Sequence, residues 1–572
     1  MSNLLLLNFD SNINIESNGV NIFWNINFTS NNNSISIPNE INNNTTTYRS
    51  LYLSYLDKLN DHFSTIKVDK IPYWLLSSIA CKQGSFANPF EIKNAIKLIY
   101  FESFLKQNSF RKLILTGNVD NRIILILRPL LKNYNIEFIN KSSKKRVNIF
   151  RKYFSILKTL TKIILTSGGK QQKNINVNTL LIDYSSSNNK INYWSGLLKS
   201  LNRKYVLKLN VDIDSKTGAY FNNDNFRSVF LYNNFSLKDS IIKYFKIKSL
   251  YKVIRNLELF QYSKTLNLWP LYSELVFKDF IGSTALYNAI TISSVNNIFH
   301  NNPNISLILY PRENQTWERI LLFYSNKKSI SIGNLHAGFK YWDLRNYLNE
   351  SNYLKENSMI PSIYSVYSKK LINILSNDNS FSNENFQLVE SLRLKNFKRK
   401  TKNTKDFKGM LVVLDYKTDV SIKQIDLVLA FIKQSNIKGV SFKSHINNHK
   451  LLSKKYSSIQ FEKRNIEDLL ETHSHFFCSN NTTLSVELIS SGFNTAIMDS
   501  ENNLDMDPSK IYGIKTKKIK TLDDLFVFTE STSSNLTIDL FKLDNNFHLW
   551  KNLLKSVNDK ILINNNSFGT IF

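Results

Sequence analysis

The stretch from Met410 to Asp499 constrains the fold more than any other part of the chain. "MLVVLDY", "GVSFKSH", "SIQFE", "HFFCS" and "TAIMD" are short apolar runs. Between them "SIKQIDLVLAFIKQS", "IEDLLETH" and "TLSVELISSG" carry helical spacing. Continuous apolar runs are what strands buried on both faces require, and the helical segments supply crossovers. Short loops joining strand to helix to strand lead to a parallel sheet with helices on both faces. Ligands of such sheets bind beyond the carboxyl ends of the strands, so polar residues just after each strand are the ones to weigh.

The same rhythm recurs earlier. "RKLILTGNVDNRIILILRPLLKNYNIEFI" (111–139) reads as strand, helix, strand, with Asn118 or Asp120 as helix cap. A second such unit spans 305–338, and "NTLLIDYSS" and "KYVLKLNV" are further strands. Residues 10–47 are rich in Asn and Ser and read as irregular strands and loops, with helix from Tyr48 onward. The Lys-, Asn- and Thr-rich stretch Asn396–Lys408 reads as an interdomain linker. The expected organisation is an N-terminal α/β region (1–140), a basic amphipathic helix or linker (141–175), two Rossmann-like domains (176–400 and 401–545) and a C-terminal helix and tail (546–572).

Composition excludes several classes. An apolar content of 42%, with 13% aromatic, across 572 residues is ample for large cores and rules out a disordered chain. The net charge of +29 is spread along the sequence rather than gathered into a nucleic-acid motif, so no nucleic-acid partner is expected. Cys81 and Cys478 give neither a disulfide framework nor metal-ligand spacing, which fits a reducing cytoplasm. "MSNLLLLNFDSN" lacks the basic start and apolar core of a signal peptide. No run approaches the roughly 18–20 apolar residues of a spanning helix. A cytoplasmic protein is expected. In 141–164, Phe150, Tyr153, Phe154, Leu157, Leu160 and Ile164 recur at helical spacing among Lys and Arg. Such a helix can lie on the inner-membrane surface or can pack on its own domain as a linker.

Three strand ends carry candidate chemistry. In "FFCSNNTTLSVELISSG", the turn and helix start hold Ser479, Asn480, Thr482, Thr483 and Ser485, whose hydroxyls and amides suit a phosphate. Glu487, four after Thr483, lies on the same helix face, where a ribose attached to that phosphate would present its hydroxyls. Ordinary capping by Asn480 or Asn481 is the plainer alternative. In "SFKSHIN", Lys443 and His445 emerge on one side of a strand end, as donors to phosphate or as solvated side chains. In "LYPRENQTWERI", Arg312, Glu313 and Trp317 sit at a strand mouth, and "SISIGNLHAGFKYWDLR" adds His336 and Arg345. No Asp-x-Asp pair stands where a metal-dependent sugar transferase would want one, since "DMD" (505–507) reads as a loop after the last strand.

"YPRENQTWER", "IGNLHAGFKYWDLR" and "LVESLRL", with "YWLLSSIACKQGSFANP" and "INYWSGLLKSL", resemble a bacterial family of surface-carbohydrate biosynthesis proteins. The C-terminal half is similar to GT-B glycosyltransferases of capsule and lipopolysaccharide synthesis of the sialyl- and Kdo-transferase type. The resemblance implies two Rossmann-type domains facing across a cleft. It also implies a nucleotide-sugar donor, a CMP-sugar among the options, a glycan or glycolipid acceptor, and no cofactor or metal. Those transferases carry a Lys-Pro-His-Pro-like strand end, matched by Lys443 and His445 with Ser444 and Ile446 in place of the prolines. Their Ser/Thr-rich helix start is matched by Thr482, Thr483 and Ser485. Glu313 is then the expected general base, with His336 second, and Arg312, Trp317 and Arg345 line the acceptor side. The alternative is a non-catalytic glycan-binding or membrane-tethering component of a polysaccharide assembly system.

Overall fold

The computed structural model describes residues 4–9, 19–144, 177–183, 193–197, 206–210, 226–325, 329–394, 407–531 and 540–568, with short breaks inside these ranges, among them 336–337, 348–351, 379–384 and 500–503. The helix expected over 141–164 and the linker expected over 396–408 fall largely outside the described residues.

Three sheets organise the chain, and every pairing within them is parallel. The N-terminal sheet runs Ser34–Ser36, Val20–Phe23, Leu4–Asn8, Lys112–Thr116, Glu137–Asn140 in spatial order. The central sheet has seven strands, ordered Phe226–Phe230, Val206–Asn210, Thr179–Asp183, Leu307–Pro311, Ile330–Asn334, Ile363–Val366, Phe386–Leu388. The C-terminal sheet has five, ordered Val440–Lys443, Met410–Val413, His475–Cys478, Asn494–Met498, Lys517–Ile519. This is the α/β architecture expected, two doubly wound, Rossmann-type units preceded by a further α/β region.

Burial on both faces explains the apolar strand runs. In the central sheet Leu181, Leu307, Leu309 and Ile332 pack on one side with Trp194, Trp550, Leu554, Val557 and Ile561. Their neighbours Leu180, Ile182, Ile308 and Tyr310 enter the main core on the other side. The C-terminal sheet divides likewise. Met410, Val412, Phe477 and Ala496 meet Val428 and Phe431 of the helix Thr418–Ser435 and Leu525 and Phe528 of Leu522–Glu530. Leu411, Val413, Phe476 and Cys478 meet Val486 and Leu488 of the helix Leu484–Ser490. Each such side chain contributes about 1.5–3 kcal/mol when removed from water, so one sheet organises two cores.

Some local expectations change. A helix, Ile37–Asn43, forms inside the Asn-rich segment because Ser36 accepts from the Asn39 amide and Pro38 occupies the first turn. "SIQFE" forms no strand; only Phe461 bridges to Phe442. "DMD" is a loop, as expected, but the strand Lys517–Ile519 follows it. Asp120, not Asn118, caps the helix Asn121–Asn133 by accepting from the Arg122 amide.

After the C-terminal sheet the chain returns to the central one. The Lys542 amide donates to the Tyr367 carbonyl and the Ser391 amide to the Lys542 carbonyl, both at 2.9 Å. The buried Glu390 carboxylate then accepts from the amides of Leu549 and Trp550 at 2.7 and 3.1 Å. It thereby satisfies free N–H groups at the start of the helix His548–Phe568.

Candidate active site

Pro311 and Asn334 end neighbouring strands in register, so "RENQTWER" and "HAGFKYWDLR" leave the same edge of the central sheet. Much of the first segment serves the fold. Glu318 forms a capping box with Gln315 at the start of the helix Thr316–Tyr324. Its carboxylate also accepts from the amides of Glu313 and Asn314 at 2.8 and 3.0 Å. Burial pushes the Glu318 carboxyl up to about 7 against those bonds. Arg319, fully buried, donates to the Leu75 and Ala80 carbonyls and to Asn314 Oδ1. Thr316 donates to the Leu76 carbonyl at 2.9 Å, and Asn314 to the Cys81 carbonyl at 3.2 Å. The motif therefore clasps the segment Leu75–Cys81, some 240 residues earlier.

The expected acceptor-side residues separate accordingly. Arg312 is buried, bonded to Asn346 Oδ1 at 2.7 Å and stacked 4.7 Å from the Tyr364 ring centre. Trp317 packs edge-on against Tyr310 and donates to Gln315 Oε1. Both are framework rather than cleft wall. Glu313 remains partly open. Its carboxylate accepts from Gln315 Nε2 at 2.6 Å and lies 3.7 Å from Arg345. Arg345 in turn makes a two-pronged pair with buried Asp343, at 2.8 and 2.7 Å. His336 lies outside the described residues.

The carboxyl edge of the C-terminal sheet meets this surface directly. Lys340 donates to both the carbonyl and side-chain oxygens of Asn481, each at 2.6 Å. Burial brings the Lys340 amine down to about 8, with Asp343 and Asp415 opposing that fall. Gly338 lies so close to Thr483 that a Cβ there would stand 2.5 Å from the Thr483 Cβ. Arg393 lies 3.5 Å from the Glu487 carboxylate. Burial raises the Glu487 carboxyl, and Arg393 pulls the other way. A narrow crevice follows, lined by Gly338, Tyr367, Arg393, Thr483, Glu487 and Tyr512 among others. Thr483 and Glu487 thus share one cleft wall facing the central domain. Sequence reasoning missed Arg393, which lines the crevice, and Lys340, which bridges the two sheet edges. The available signal was their position in the loops following the strands Ile330–Asn334 and Phe386–Leu388.

The rest of the expected donor set is dispersed. Asn480 holds the following loop, its side chain bonding Asp505 and the Met506 amide. Ser485 Oγ donates to the Thr482 carbonyl at 2.9 Å, and Thr482 Oγ1 accepts from the Leu484 amide at 3.4 Å. Thr483 occupies the cap position without a side-chain capping bond, so neither Asn480 nor Asn481 caps this helix, which has only seven residues. Ser479 is fully buried, and its hydroxyl has no partner among the described residues. Lys443 and Cys478 are both level with Val413, two strand spacings apart. The Lys443 amine nevertheless turns to the Arg464 carbonyl, beyond the sheet's outer edge, and burial lowers it from the usual amine range. His445 is exposed, edge-on to Tyr416 at 5.8 Å, and accepts from the Asn447 amide. The prolines of the resembled motif would stiffen this strand end; Ser444 instead bonds His449 at 2.7 Å. Asp507 of the "DMD" loop is engaged by Ser509, Thr516 and Lys518. Among the described residues no group of His, Cys, Asp and Glu has the arrangement of a metal site.

No family model matches this chain, and no curated protein matches it in sequence. Among solved structures, the glycotransferase of kitacinnamycin is 11% identical across 68% of this chain and 95% of its own, with a TM-score of 0.34. The UDP-GlcNAc 2-epimerase of Methanocaldococcus jannaschii, in complex with UDP-GlcNAc and UDP, is 10% identical across 67% of this chain and 100% of its own, with a TM-score of 0.36. UGT89C1 of Arabidopsis thaliana, complexed with UDP-L-rhamnose, is 11% identical across 68% of this chain and 95% of its own, with a TM-score of 0.32. A likeness this remote carries no inference to this chain's donor, acceptor or chemistry.

Proposed function

We propose that the chain is a glycosyltransferase moving a sugar from a nucleotide-sugar donor, a CMP-sugar among the candidates, to a surface polysaccharide or lipopolysaccharide acceptor. The observation that supports this most is the meeting of two parallel-sheet carboxyl edges. One brings Glu313, Lys340 and Arg345, the other Thr483 and Glu487. Such edges are where doubly wound sheets receive nucleotides.

In this reading Glu313 takes the proton of an acceptor hydroxyl, whose oxygen attacks the anomeric carbon as the bond to the donor phosphate breaks. Arg345 holds Glu313 in place. Arg393, which lines the crevice, and Lys340, which bridges to Asn481, offset charge gathering on the departing phosphate. Glu487 exchanges Arg393 for a ribose hydroxyl when the donor enters. No metal has a part in the proposed reaction.

The test is a thermal-shift screen with CMP, UDP and GDP, followed by turnover with the nucleotide-sugar whose nucleotide binds. Glu313→Gln is expected to lose roughly 10²–10⁴-fold in turnover while keeping nucleotide affinity, and activity is expected to persist in EDTA. Loss in EDTA restored by Mn²⁺ would overturn the metal-free part. A chain that neither binds nucleotide nor turns over would be the non-catalytic glycan-binding or tethering component instead.

A further inference from the structure

The helix Leu237–Ile254 has two unlike faces. Ser240, Lys243, Ile247 and Ile254 are buried, and Tyr244 donates to the Ile281 carbonyl at 2.7 Å, so this side packs on the helices Trp269–Phe280 and Ser283–Asn301. The other side exposes Leu237, Ile241, Ile242, Phe245 and Val253, each between 44% and 59% accessible. They are five of the eleven large apolar side chains exposed among the described residues, gathered on one helix. Lys238, Lys246, Lys248, Lys252 and, at its end, Arg255 are exposed among them. At about 100° per residue all of these fall within one half of the helix circumference. The helix's one acid, Asp239, falls in the other half, where it pairs with Lys243 at 2.7 Å.

We propose that this face lies in the headgroup region of an anionic lipid bilayer. A protein partner is the poorer fit, since interface cores are depleted in Lys. At a membrane surface, Ile241, Phe245 and Val253 would enter the acyl boundary while the long Lys stems reach back to anionic headgroups. Lys248 already sits 6.0 Å from the Phe245 ring centre, with its stem beside the apolar stripe. Asp69 pairs with Lys246 at one margin of the face, but the helix places no acid of its own there, and on a chain of net charge +29 the remaining cations are complementary to such a surface. The helix lies on the bilayer rather than through it, because no described helix is long and apolar enough to cross.

The test is flotation of the full chain with vesicles of phosphatidylcholine alone and of phosphatidylcholine with phosphatidylglycerol. The wild type is expected to float with the anionic vesicles and far less with the neutral ones. Lys238→Gln/Lys248→Gln/Lys252→Gln is expected to weaken partitioning roughly a hundredfold, and Ile241→Ser/Phe245→Ser to weaken it too. All five positions are exposed, and unchanged thermal unfolding would certify the variants' fold. A wild type that stays with the pellet overturns the proposal. So do variants that float as the wild type does, which would move any lipid contact to another element such as 141–164. A wild-type dimer that Ile241→Ser/Phe245→Ser dissociates also overturns it, assigning the face to a second copy. Nucleotide binding plays no part in this readout, so its failure is distinguishable from failure of the transferase proposal.

Discussion

Single residues in this chain divide by what they touch, and the division was only half visible beforehand. Glu313 and Glu318 look alike in "PRENQTWER", yet one carboxylate is partly open beside Arg345 and the other is consumed by backbone amides. The Gln-to-Glu spacing of the capping box was readable; the partners of Arg319 were not, because they lie far away in sequence at Leu75 and Ala80. The same early segment holds Asp279, whose carboxylate accepts from the Ser78 amide and hydroxyl, each at 2.7 Å. Burial pushes this carboxyl up to about 7, despite the Ser78 bonds. Between about pH 4, where an unfolded carboxylate ionises, and about 7, the folded chain therefore holds a proton the unfolded chain has released. The stability from this group is full below that range and is lost as pH rises through it. Asp279→Asn keeps an acceptor for Ser78 and removes the titration. Its unfolding free energy, from urea melts, should fall less steeply between pH 5 and pH 7 than the wild type's; parallel curves would refute the assignment.

At the scale of elements, strand and helix order was legible wherever strands are buried on both faces, since there each strand must be an apolar run. It failed where order rests on a cap, as at Ile37–Asn43, or where an apolar run finds no neighbour to pair with along its length, as at "SIQFE". The helix Leu484–Ser490 shows the limit of motif reading. Its polar start was visible, but Asn480 and Asn481 spend their side chains on Met506 and Lys340, partners that no local spacing announces. The turn before this helix also meets Gly338 with no room for a side chain. Gly338→Ala should force the two elements apart, costing about 1–3 kcal/mol of stability. Thr483→Gly, which removes the opposing Cβ and Cγ2, should restore much of that loss in the double variant. Equal losses with and without Thr483→Gly, in calorimetry, would show that the strain lies elsewhere.

For the whole molecule, the sequence announced two Rossmann-type units but not how they are joined. The helix His548–Phe568, set apart in the sequence as a C-terminal tail element, follows the C-terminal unit in the chain but packs on the central one, where Trp550 meets Trp194 edge-on at 6.0 Å. Nothing in its own periodicity names the sheet it covers. Trp550→Ala should lower unfolding free energy by about 3–5 kcal/mol; a loss below 1 kcal/mol would mean that the central sheet does not depend on this cover.

The C-terminal unit meets the rest of the chain through two kinds of contact. Single polar bonds join Lys340 to Asn481, Arg393 to Glu487, Lys370 to the Tyr512 carbonyl, and Asn42 of the N-terminal region to the Asp505 amide. Beside them, Tyr512 and Tyr367 both pack on Phe541 within one continuous apolar core. Water can replace each of the polar bonds as it breaks, whereas the apolar part of the seam loses its contacts together. Any parting of the two units is therefore resisted chiefly by that shared greasy patch, with the scattered polar bonds giving way first.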